Sequence, residues 1–255
     1  STLEPDTDRV TSFAYDGIGN VVKQVAHVPH ATATEDAQVT QYVYDAQVAT
    51  GSLIESKALL SAVQYPDRST GDPGTTGYTV TYQYKRLGEL TALTDQNGTT
   101  HTYERDAVGR VTKDNAALAS GNPHALDTAV MGIHVAYDTF GRLDTIKSID
   151  DPNSGTPLVM NEVKFTYTPL WQVEDVHQDV DSELNSATVG IVPTRVVHYD
   201  YDTAAVGSGN YSRLSGMDYP SGTSYSFLYG STATNNRISR LDELQVDGTI
   251  KLVEY

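Results

Sequence analysis

The sequence of 255 residues contains no cysteine. Disulfide bonds and thiolate metal sites are therefore excluded, and the absence leaves the cellular compartment open. The chain also has no run of about 18 apolar residues, so no helix of it is predicted to span a membrane. No signal-peptide pattern follows Ser1. Either a leader has been removed or, as the repeats below lead us to expect, the chain is a piece of a longer protein.

Basic residues are scarce, with 17 Lys and Arg against 33 Asp and Glu, and the formal net charge is −16. A surface this acidic repels phosphate backbones, so we do not expect nucleic-acid binding. Phenylalanine and tryptophan are also few, at 4 and 1 residues, whereas tyrosine is abundant at 17. Because tyrosine combines an apolar ring with a polar tip, it suits half-buried strands.

Tyrosine recurs in a pattern that is repeated along the whole chain. Eight segments align on the second residue of a Tyr-x-Tyr or Phe-x-Tyr pair or its equivalent, at Tyr15, Tyr44, Tyr84, Arg105, Tyr137, Tyr167, Tyr201 and Tyr229. The intervals between these residues range from 21 to 40. A stacked solenoid would hold its period more tightly, so the length must vary in loops.

Each segment has the same order of features. Alternating residues such as Val163, Phe165 and Tyr167 predict a strand with one packed face. A turn follows, often Asp-x-x-Gly, in which Asp bonds the downstream backbone and Gly takes a positive φ. A second strand then begins with a basic or amide residue and an aliphatic one, so each segment is predicted to be a β-hairpin. Further turns are predicted between hairpins at 65–74, 95–98, 150–155 and 219–222.

Eight hairpins give about sixteen strands. Because a lone hairpin is marginal in water, neighbouring hairpins are expected to pair edge to edge, and so long a sheet must twist and curl. The predicted fold is all-β: one continuous curved antiparallel sheet of consecutive hairpins, a spiral or partial shell, in a single array over residues 1–255. Inserts interrupt it near 114–132, as a short helix or long loop, and near 175–192, as an elongated hairpin or loop.

Two segments carry a resemblance to a known family: YDTFGRLDTIKS at 137–148 and MDYPSGTSYSFLYG at 217–230. They resemble the YD repeat of the Rhs family, which is also found in teneurins and in the cocoon components of insecticidal Tc toxin complexes. The resemblance covers roughly residues 10–245. It implies that the hairpins spiral into a hollow β-shell, often around a toxic C-terminal polypeptide.

The sequence departs from the family pattern in three respects. The copies at Tyr44, Tyr84 and Tyr167 lack the Gly-Arg turn. The family's core segment, rich in Asp-Pro-x-Gly, has no clear counterpart, and DPNSG at 151–155 lacks its context. No effector-like region is recognised after the last repeat.

No motif typical of catalysis or cofactor binding is found. The sequence has no His-Glu-x-x-His, Gly-x-Ser-x-Gly, P-loop or Gly-x-Gly-x-x-Gly pattern. His27 and His30 are spaced to share a metal, but a solvated loop is the favoured interpretation. His101, His134 and His198 lie in or beside predicted strands and are expected to be exposed or hydrogen-bonded. We therefore predict no catalytic, cofactor-binding or metal-binding residue, and we expect the chain not to be an enzyme.

Two acidic runs leave calcium binding open as a weaker alternative. Their residues alternate along the chain: Glu4, Asp6 and Asp8 in the first, and Asp179, Asp181 and Glu183 in the second. The favoured interpretation is a solvated face that blunts an edge strand. Trp171, the only tryptophan, is expected to pack against the sheet rather than to stack on a sugar.

The repeated residues are expected to be structural. Arg110 and Arg142 are predicted to bridge the turn Asp to a neighbouring hairpin. Gly109 and Gly141 are predicted to be conformational turn glycines. Tyr137 is expected to lie near Tyr167, in unbroken aromatic rows whose hydroxyls meet water.

The function predicted from these features is a structural repeat scaffold. It is expected to be a segment of an Rhs/YD-type β-shell that encloses or displays a polypeptide such as a toxin effector. Its partners are then other repeats of the same longer chain, or the enclosed polypeptide, and its expected location is secreted or on a bacterial cell surface. The alternatives are a cell-surface adhesion or carbohydrate-binding module with a glycan partner and, more remotely, a hydrolase on a β-scaffold.

Overall fold

The computed structural model describes residues 10–27, 37–119, 127–180, 195–202, 212–230, 240–248 and 250–254. The chain forms two compact units, residues 1–127 and 128–255. Apart from one 3-10 helix at Val48–Thr50, the regular structure of the described residues consists of seventeen β-strands. The predicted all-β class is confirmed.

The first unit contains eight strands, each of which pairs antiparallel with its neighbour along the chain. The strands are β1 (Thr11–Tyr15), β2 (Val21–Ala26), β3 (Gln38–Ala46), β4 (Ser56–Gln64), β5 (Thr79–Tyr84), β6 (Leu90–Thr94), β7 (Thr100–Arg105) and β8 (Val111–Ala117).

The second unit contains nine strands with the same antiparallel pairing of sequence neighbours. The strands are β9 (Gly132–Tyr137), β10 (Leu143–Ile149), β11 (Val159–Tyr167), β12 (Val173–Val180), β13 (Arg195–Tyr201), β14 (Leu214–Asp218), β15 (Ser224–Tyr229), β16 (Leu241–Val246) and β17 (Ile250–Glu254).

The eight predicted hairpins are the pairs from β1–β2 to β15–β16, and β17 adds one strand to the predicted sixteen. Seven of the eight aligned residues end the first strand of their hairpin, and Tyr44 lies two residues before the end of β3. The hairpin assignment and the placement of the variable lengths in connections are therefore confirmed.

A β-bulge recurs in every hairpin, and the sequence pattern did not predict it. At the aligned residue the register shifts, because the second strand holds one more residue than the first. The pairs at the shift are Tyr15–Val21, Tyr44–Leu60, Tyr84–Leu90, Arg105–Val111, Tyr137–Leu143, Tyr167–Val173, Tyr201–Leu214 and Tyr229–Leu241. A bulge of this kind leaves a backbone group without a ladder partner.

Burial in the described residues is shallow. The buried apolar side chains are Val39, Ala46, Val63, Ala92 and Ile149, and most other strand residues are half-buried. Stability therefore has to come from contacts between neighbouring hairpins rather than from a deep core.

The predicted inserts fall partly outside the described residues. Strand β8 continues to Ala117, so the start of the 114–132 segment is strand rather than helix or loop, and 120–126 lie outside the described residues. Strand β12 runs to Val180, which agrees with an elongated hairpin, while 181–192 lie outside them. No helix in the described part of the chain has the length and apolar character needed to cross a bilayer.

Candidate functional site: the hairpin turns and the tyrosine row

Three hairpin turns begin with an aspartate whose carboxylate holds the whole turn. In the β9–β10 turn, Asp138 Oδ1 accepts the peptide N–H of Phe140 and of Arg142, both at 2.9 Å. Asp138 Oδ2 accepts Nε–H of Arg142 at 2.6 Å. The same set of bonds is formed by Asp106 with Arg110 and by Asp16 with Asn20. Each arginine bonds the aspartate of its own turn, and Arg142 also lies over the ring of Tyr167 in the next hairpin, so the predicted bridge to a neighbouring hairpin is confirmed for Arg142.

The ionised form of these carboxylates is favoured by the turn. Partial desolvation alone would raise the pKa of Asp106 and of Asp138. Hydrogen bonds from peptide N–H groups and from the arginine outweigh it and hold each pKa below the ordinary 3.8. The charge is therefore used to stabilise the turn and is not poised for proton transfer at neutral pH.

Two of the three turns without the Gly-Arg motif keep the same backbone. In the β5–β6 turn, Lys85 N–H donates to Glu89 O at 2.8 Å, and Gly88 N–H donates to Lys85 O at 2.9 Å. In the β11–β12 turn, Thr168 Oγ1 takes the carboxylate's place and accepts the N–H of Leu170 and Gln172 at 3.3 Å. In these two hairpins the departure from the family pattern changes side chains and not the turn backbone, whereas the β3–β4 hairpin closes through a longer connection that contains the 3-10 helix.

Trp171 occupies the backbone position that glycine holds in the other turns of this type. Its φ is 68°, whereas Gly109 and Gly141 have φ of 88° and 84°. The side chain is 59 % exposed, with its ring centre 5.8 Å from that of Phe140 and 5.5 Å from the Arg142 guanidinium carbon. The expectation that Trp171 packs against the sheet is wrong, because the left-handed turn position projects the side chain at the hairpin end.

Four tyrosine hydroxyls each link their hairpin to the one before it. Tyr167 Oη donates to Leu143 O at 2.7 Å, and Leu143 is the residue paired with Tyr137 at the preceding bulge. Three further tyrosines repeat the contact with the equivalent carbonyl: Tyr84 with Leu60, Tyr201 with Val173 and Tyr229 with Leu214, at 2.6–2.9 Å. The expectation that the hydroxyl meets only water is wrong for these four residues, since each hydroxyl satisfies a carbonyl at a bulge.

The environment of these phenols agrees with their role as donors. Desolvation is the main cause that raises the pKa of Tyr84, Tyr167, Tyr201 and Tyr229 above 10.0. For Tyr84 the neighbouring phenols of Tyr82 and Tyr44 act in the same direction, which shows that tyrosines of adjacent hairpins come close together. Each of the four hydroxyls keeps its proton at neutral pH and donates it to the carbonyl.

Arginines interleave with the tyrosines of the second unit. The register places β10 between Tyr137 and Tyr167, and the guanidinium carbon of Arg142 lies 4.3 Å from the Tyr167 ring centre. Arg213 lies 4.4 Å from the Tyr229 ring in the same manner and pairs with Asp202, across the longer β13–β14 connection. The predicted unbroken aromatic row is thus interrupted by Arg142 and Arg213, whose guanidinium groups attract the tyrosine rings that they cover.

Two histidines pair with carboxylates across neighbouring strands. His101 Nδ1 lies 2.7 Å from Asp114, and His198 Nδ1 lies 2.6 Å from Asp175. His198 Nε2 also lies 3.3 Å from Asp200. The hydrogen bond to Asp175 is the largest cause that raises the pKa of His198, against a smaller lowering by burial. The prediction that strand histidines are exposed or hydrogen-bonded is confirmed for His101 and His198.

The described residues show no cluster of three or more His, Cys, Asp or Glu side chains that could hold a metal. Asp179 lies in β12 between β11 and β13 and is 9 % exposed, so the interpretation of a solvated edge is wrong for this residue. Asp179 is paired with Glu162 of β11. The Glu162 side chain is also buried, and its Oε2 lies 3.9 Å from Lys147 Nζ. His27 is described, with its Nε2 3.4 Å from Ser12 Oγ. The other proposed calcium and metal ligands lie outside the described residues: Glu4, Asp6, Asp8, His30, Asp181 and Glu183.

No protein-family model matches the chain, and no curated protein matches it by sequence. Among solved structures, the chain is similar to the crystal structure of TcdB2-TccC3-TEV, with 13% identity over 93% of this chain and 12% of that one, at a TM-score of 0.48. It is similar to the Tc holotoxin pore of Photorhabdus luminescens, with 12% identity over 94% of this chain and 14% of that one, at a TM-score of 0.33. It is also similar to a porin-like protein of Bacteroides uniformis, with 12% identity over 88% and 82% of the two chains, at a TM-score of 0.32. The chain spans about an eighth of the length of the Tc chains that it matches.

Proposed function

We propose that this chain is a structural scaffold segment, a wall of consecutive hairpins that encloses or displays a polypeptide and has no chemistry of its own. The observation that carries the proposal is the repeated bond from a tyrosine hydroxyl to the bulge carbonyl of the preceding hairpin. Carboxylates and phenols, which enzymes can use for proton transfer, form hydrogen bonds here that stabilise the turns and join the hairpins. A wall of this kind can be lengthened by further hairpins, because each hairpin contacts only its neighbours.

The nature of the enclosed or displayed polypeptide is the finer part of the proposal. The YD-like segments at 137–148 and 217–230 favour a toxin effector, in a secreted or cell-surface protein of a bacterium. The sequences that adjoin this chain in its natural context test the point. An effector-like domain there supports the capsule, whereas an anchor or sorting segment contradicts it and supports adhesion.

The absence of chemistry is tested with the purified chain on a panel of ester, peptide, phosphate and glycoside substrates. No turnover above the uncatalysed rate is expected. A turnover that persists through repurification and is removed by His198→Gln or Asp175→Asn, in a variant that still folds, would falsify the scaffold assignment.

A second candidate, carbohydrate binding at a cell surface, is favoured by Trp171. Its indole is 59 % exposed beside Phe140 and Arg142, and an exposed indole can stack on a pyranose ring. A glycan array on the native chain and on Trp171→Ala tests it. Binding that is lost in the variant supports this candidate, and an array without hits excludes it for the glycans displayed.

A further inference from the structure

The ends of the hairpins carry an unusual set of exposed apolar side chains. In an antiparallel meander, the turns within hairpins lie along one edge of the sheet, here called the tip edge, and the turns between hairpins lie along the opposite, link edge. The third residue of five tip turns is apolar and 65–87 % exposed: Ile18, Leu87, Val108, Phe140 and Leu170. These are the five most exposed large apolar residues in the described part of the chain.

The turns themselves do not require apolar residues at this position. In the Asp turns the residue contributes its peptide N–H to the carboxylate, which any residue except proline can do. Polar residues are the usual choice in turns. The link edge follows that rule, with Gln96, Asn97, Asn153 and Ser221 in its turns. The link edge also carries exposed apolar residues, such as Leu158, but the five most exposed ones all stand at the same position of the tip turns, which indicates a contact there.

Trp171 supports the same conclusion from backbone strain. A bulky residue with φ of 68° is strained relative to glycine. The strained position sets the indole at the tip edge beside Phe140 of the neighbouring hairpin, where it widens the apolar row. A turn that tolerates this cost for an exposed indole is consistent with a tip edge that is covered in use.

The spacing and charge of the tip edge favour a second hairpin array as the partner. The tips of consecutive hairpins are two strands apart, which is roughly 9–10 Å. A second copy has the same spacing between its tips. The apolar side chains of two tip edges can therefore interdigitate about a twofold axis. Asp106 and Asp138 pair with arginines in the same turns, which lowers at these two tips the repulsion that a net charge of −16 imposes elsewhere. The same net charge opposes docking on an anionic membrane.

We propose that the tip edge of each unit is an interaction surface for the tip edge of another hairpin array, which in a solution of this chain is a second copy. The rows are Ile18, Leu87 and Val108 in the first unit, and Phe140, Leu170 and Trp171 in the second. The inference goes beyond the scaffold function and does not depend on what the wall encloses. Because three tips bury less than the roughly 800 Å² per partner of a stable complex, association is weak, in the micromolar range.

Sedimentation velocity of the full chain over increasing concentration tests the proposal. The variants Leu87→Asp with Val108→Asp and Phe140→Asp with Leu170→Asp place charge in one row each. The matched control is Leu158→Asp, since Leu158 is 63 % exposed but lies on the link edge. Circular dichroism verifies that each variant folds. The native chain and the control are expected to dimerise alike, and at least one double variant is expected to weaken the dimer about tenfold or more.

The fluorescence of the only tryptophan gives an independent readout. Burial of Trp171 in the dimer is expected to move its emission to shorter wavelength as concentration rises. A chain that stays monomeric, or a control that weakens the dimer as much as both double variants do, overturns the proposal. So does sedimentation with neutral phosphatidylcholine vesicles without self-association, which would assign the tip edge to a lipid surface.

Discussion

At the scale of single residues, two separate contacts of the tyrosine side chain explain why the repeat uses tyrosine. The ring packs on the half-buried face of the sheet, and the hydroxyl supplies a donor to a carbonyl at the bulge of the preceding hairpin. Phenylalanine would keep the packing and leave that carbonyl without this partner, which is costly in a partly desolvated place. The excess of 17 Tyr over 4 Phe follows from this double role.

Tyr167→Phe and Tyr201→Phe are each expected to lower the free energy of unfolding by about 1–2 kcal/mol, the cost of an unsatisfied partly buried carbonyl. Urea unfolding measures the change. The matched control is Tyr15→Phe, since Tyr15 is 61 % exposed, and its expected cost is close to zero. Equal effects at all three positions would show that the hydroxyl bonds contribute nothing.

Arg105 occupies the tyrosine position of the fourth hairpin and fits it poorly. Its Nε atom is buried without a hydrogen-bond partner, although its Nη1 donates to Gly109 O at 3.0 Å. Arg105→Tyr is expected to raise stability by about 1 kcal/mol, because a phenol there can donate to Leu90 O as its counterparts do. Thermal unfolding compares the Arg105→Tyr variant with Arg105→Phe, for which a smaller gain in stability is expected. A tyrosine variant no more stable than the phenylalanine variant would contradict this reasoning.

His198 gives unfolding a dependence on pH. The bond to Asp175 raises the pKa of His198 above its ordinary 6.5, so the charged imidazole stabilises the folded state. That contribution is complete below pH 6.5 and is lost as pH rises through the higher folded-state pKa. Urea midpoints of the native chain are therefore expected to fall across this window, by a small amount because the side chain is 38 % exposed. His198→Gln and Asp175→Asn are expected to flatten this fall, and an unchanged fall in both would assign it to other groups.

At the scale of the element, the unit of this fold is a hairpin with a bulge at the end of its first strand. The bulge is compatible with Asp, Lys or Thr at the start of the turn, because the backbone bonds that close it are the same in each case. The β13–β14 hairpin keeps the pairing of Asp202 with Arg213 across a longer connection. The element therefore tolerates variable turn length and composition while the strands keep their register.

Gly141→Val and Trp171→Gly test the left-handed turn position in opposite directions. A branched residue at φ 84° is expected to cost about 1–3 kcal/mol at Gly141. Trp171→Gly relieves the strain at φ 68° and loses only exposed ring contacts, so its expected cost is close to zero or negative. Chemical unfolding of both variants decides the matter, and a loss at Trp171 as large as that at Gly141 would mean that the indole contacts stabilise the fold.

At the scale of the whole molecule, stability arises from neighbours and is opposed by charge. Each unit has few buried apolar side chains, and its hairpins are joined by strand ladders and hydroxyl bonds, with cation–aromatic contacts added in the second unit. Carboxylates outnumber cationic side chains, 33 to 17, and many of them stand in turns. Repulsion among them destabilises the folded chain at low ionic strength.

Added sodium chloride, up to about 0.3 M, is therefore expected to raise the melting temperature, because it screens the net repulsion more than it weakens the fewer ion pairs. Differential scanning calorimetry at constant pH measures the effect. Sucrose at equal osmolality serves as a control for general stabilisation. A melting temperature that falls with salt would show that the ion pairs outweigh the net charge.

The sequence by itself determined the hairpins. Alternation ending at an aromatic residue, followed by Asp-x-x-Gly and a basic or amide residue, placed the ends of β1 and β9 correctly, because side-chain period and turn chemistry are local properties. It also predicted the positive φ of the glycines that close the Asp-x-x-Gly turns, Gly19, Gly109 and Gly141. The exposure and contacts of single side chains were harder to predict. Trp171 was expected to pack on the sheet and is exposed, and Asp179 was expected on a solvated face and is buried.

Only the tertiary structure decided what the repeated side chains contact. The bulge, the carbonyl at the end of each tyrosine hydroxyl and the arginine over the Tyr167 ring all join residues of different strands, and in part of different hairpins. Their positions depend on strand register, which follows from the pairing of segments far apart in sequence and not from any one segment. The apolar tip edge could not be predicted for the same reason, since Leu87 and Val108 come to one edge only after the strands have folded back on one another.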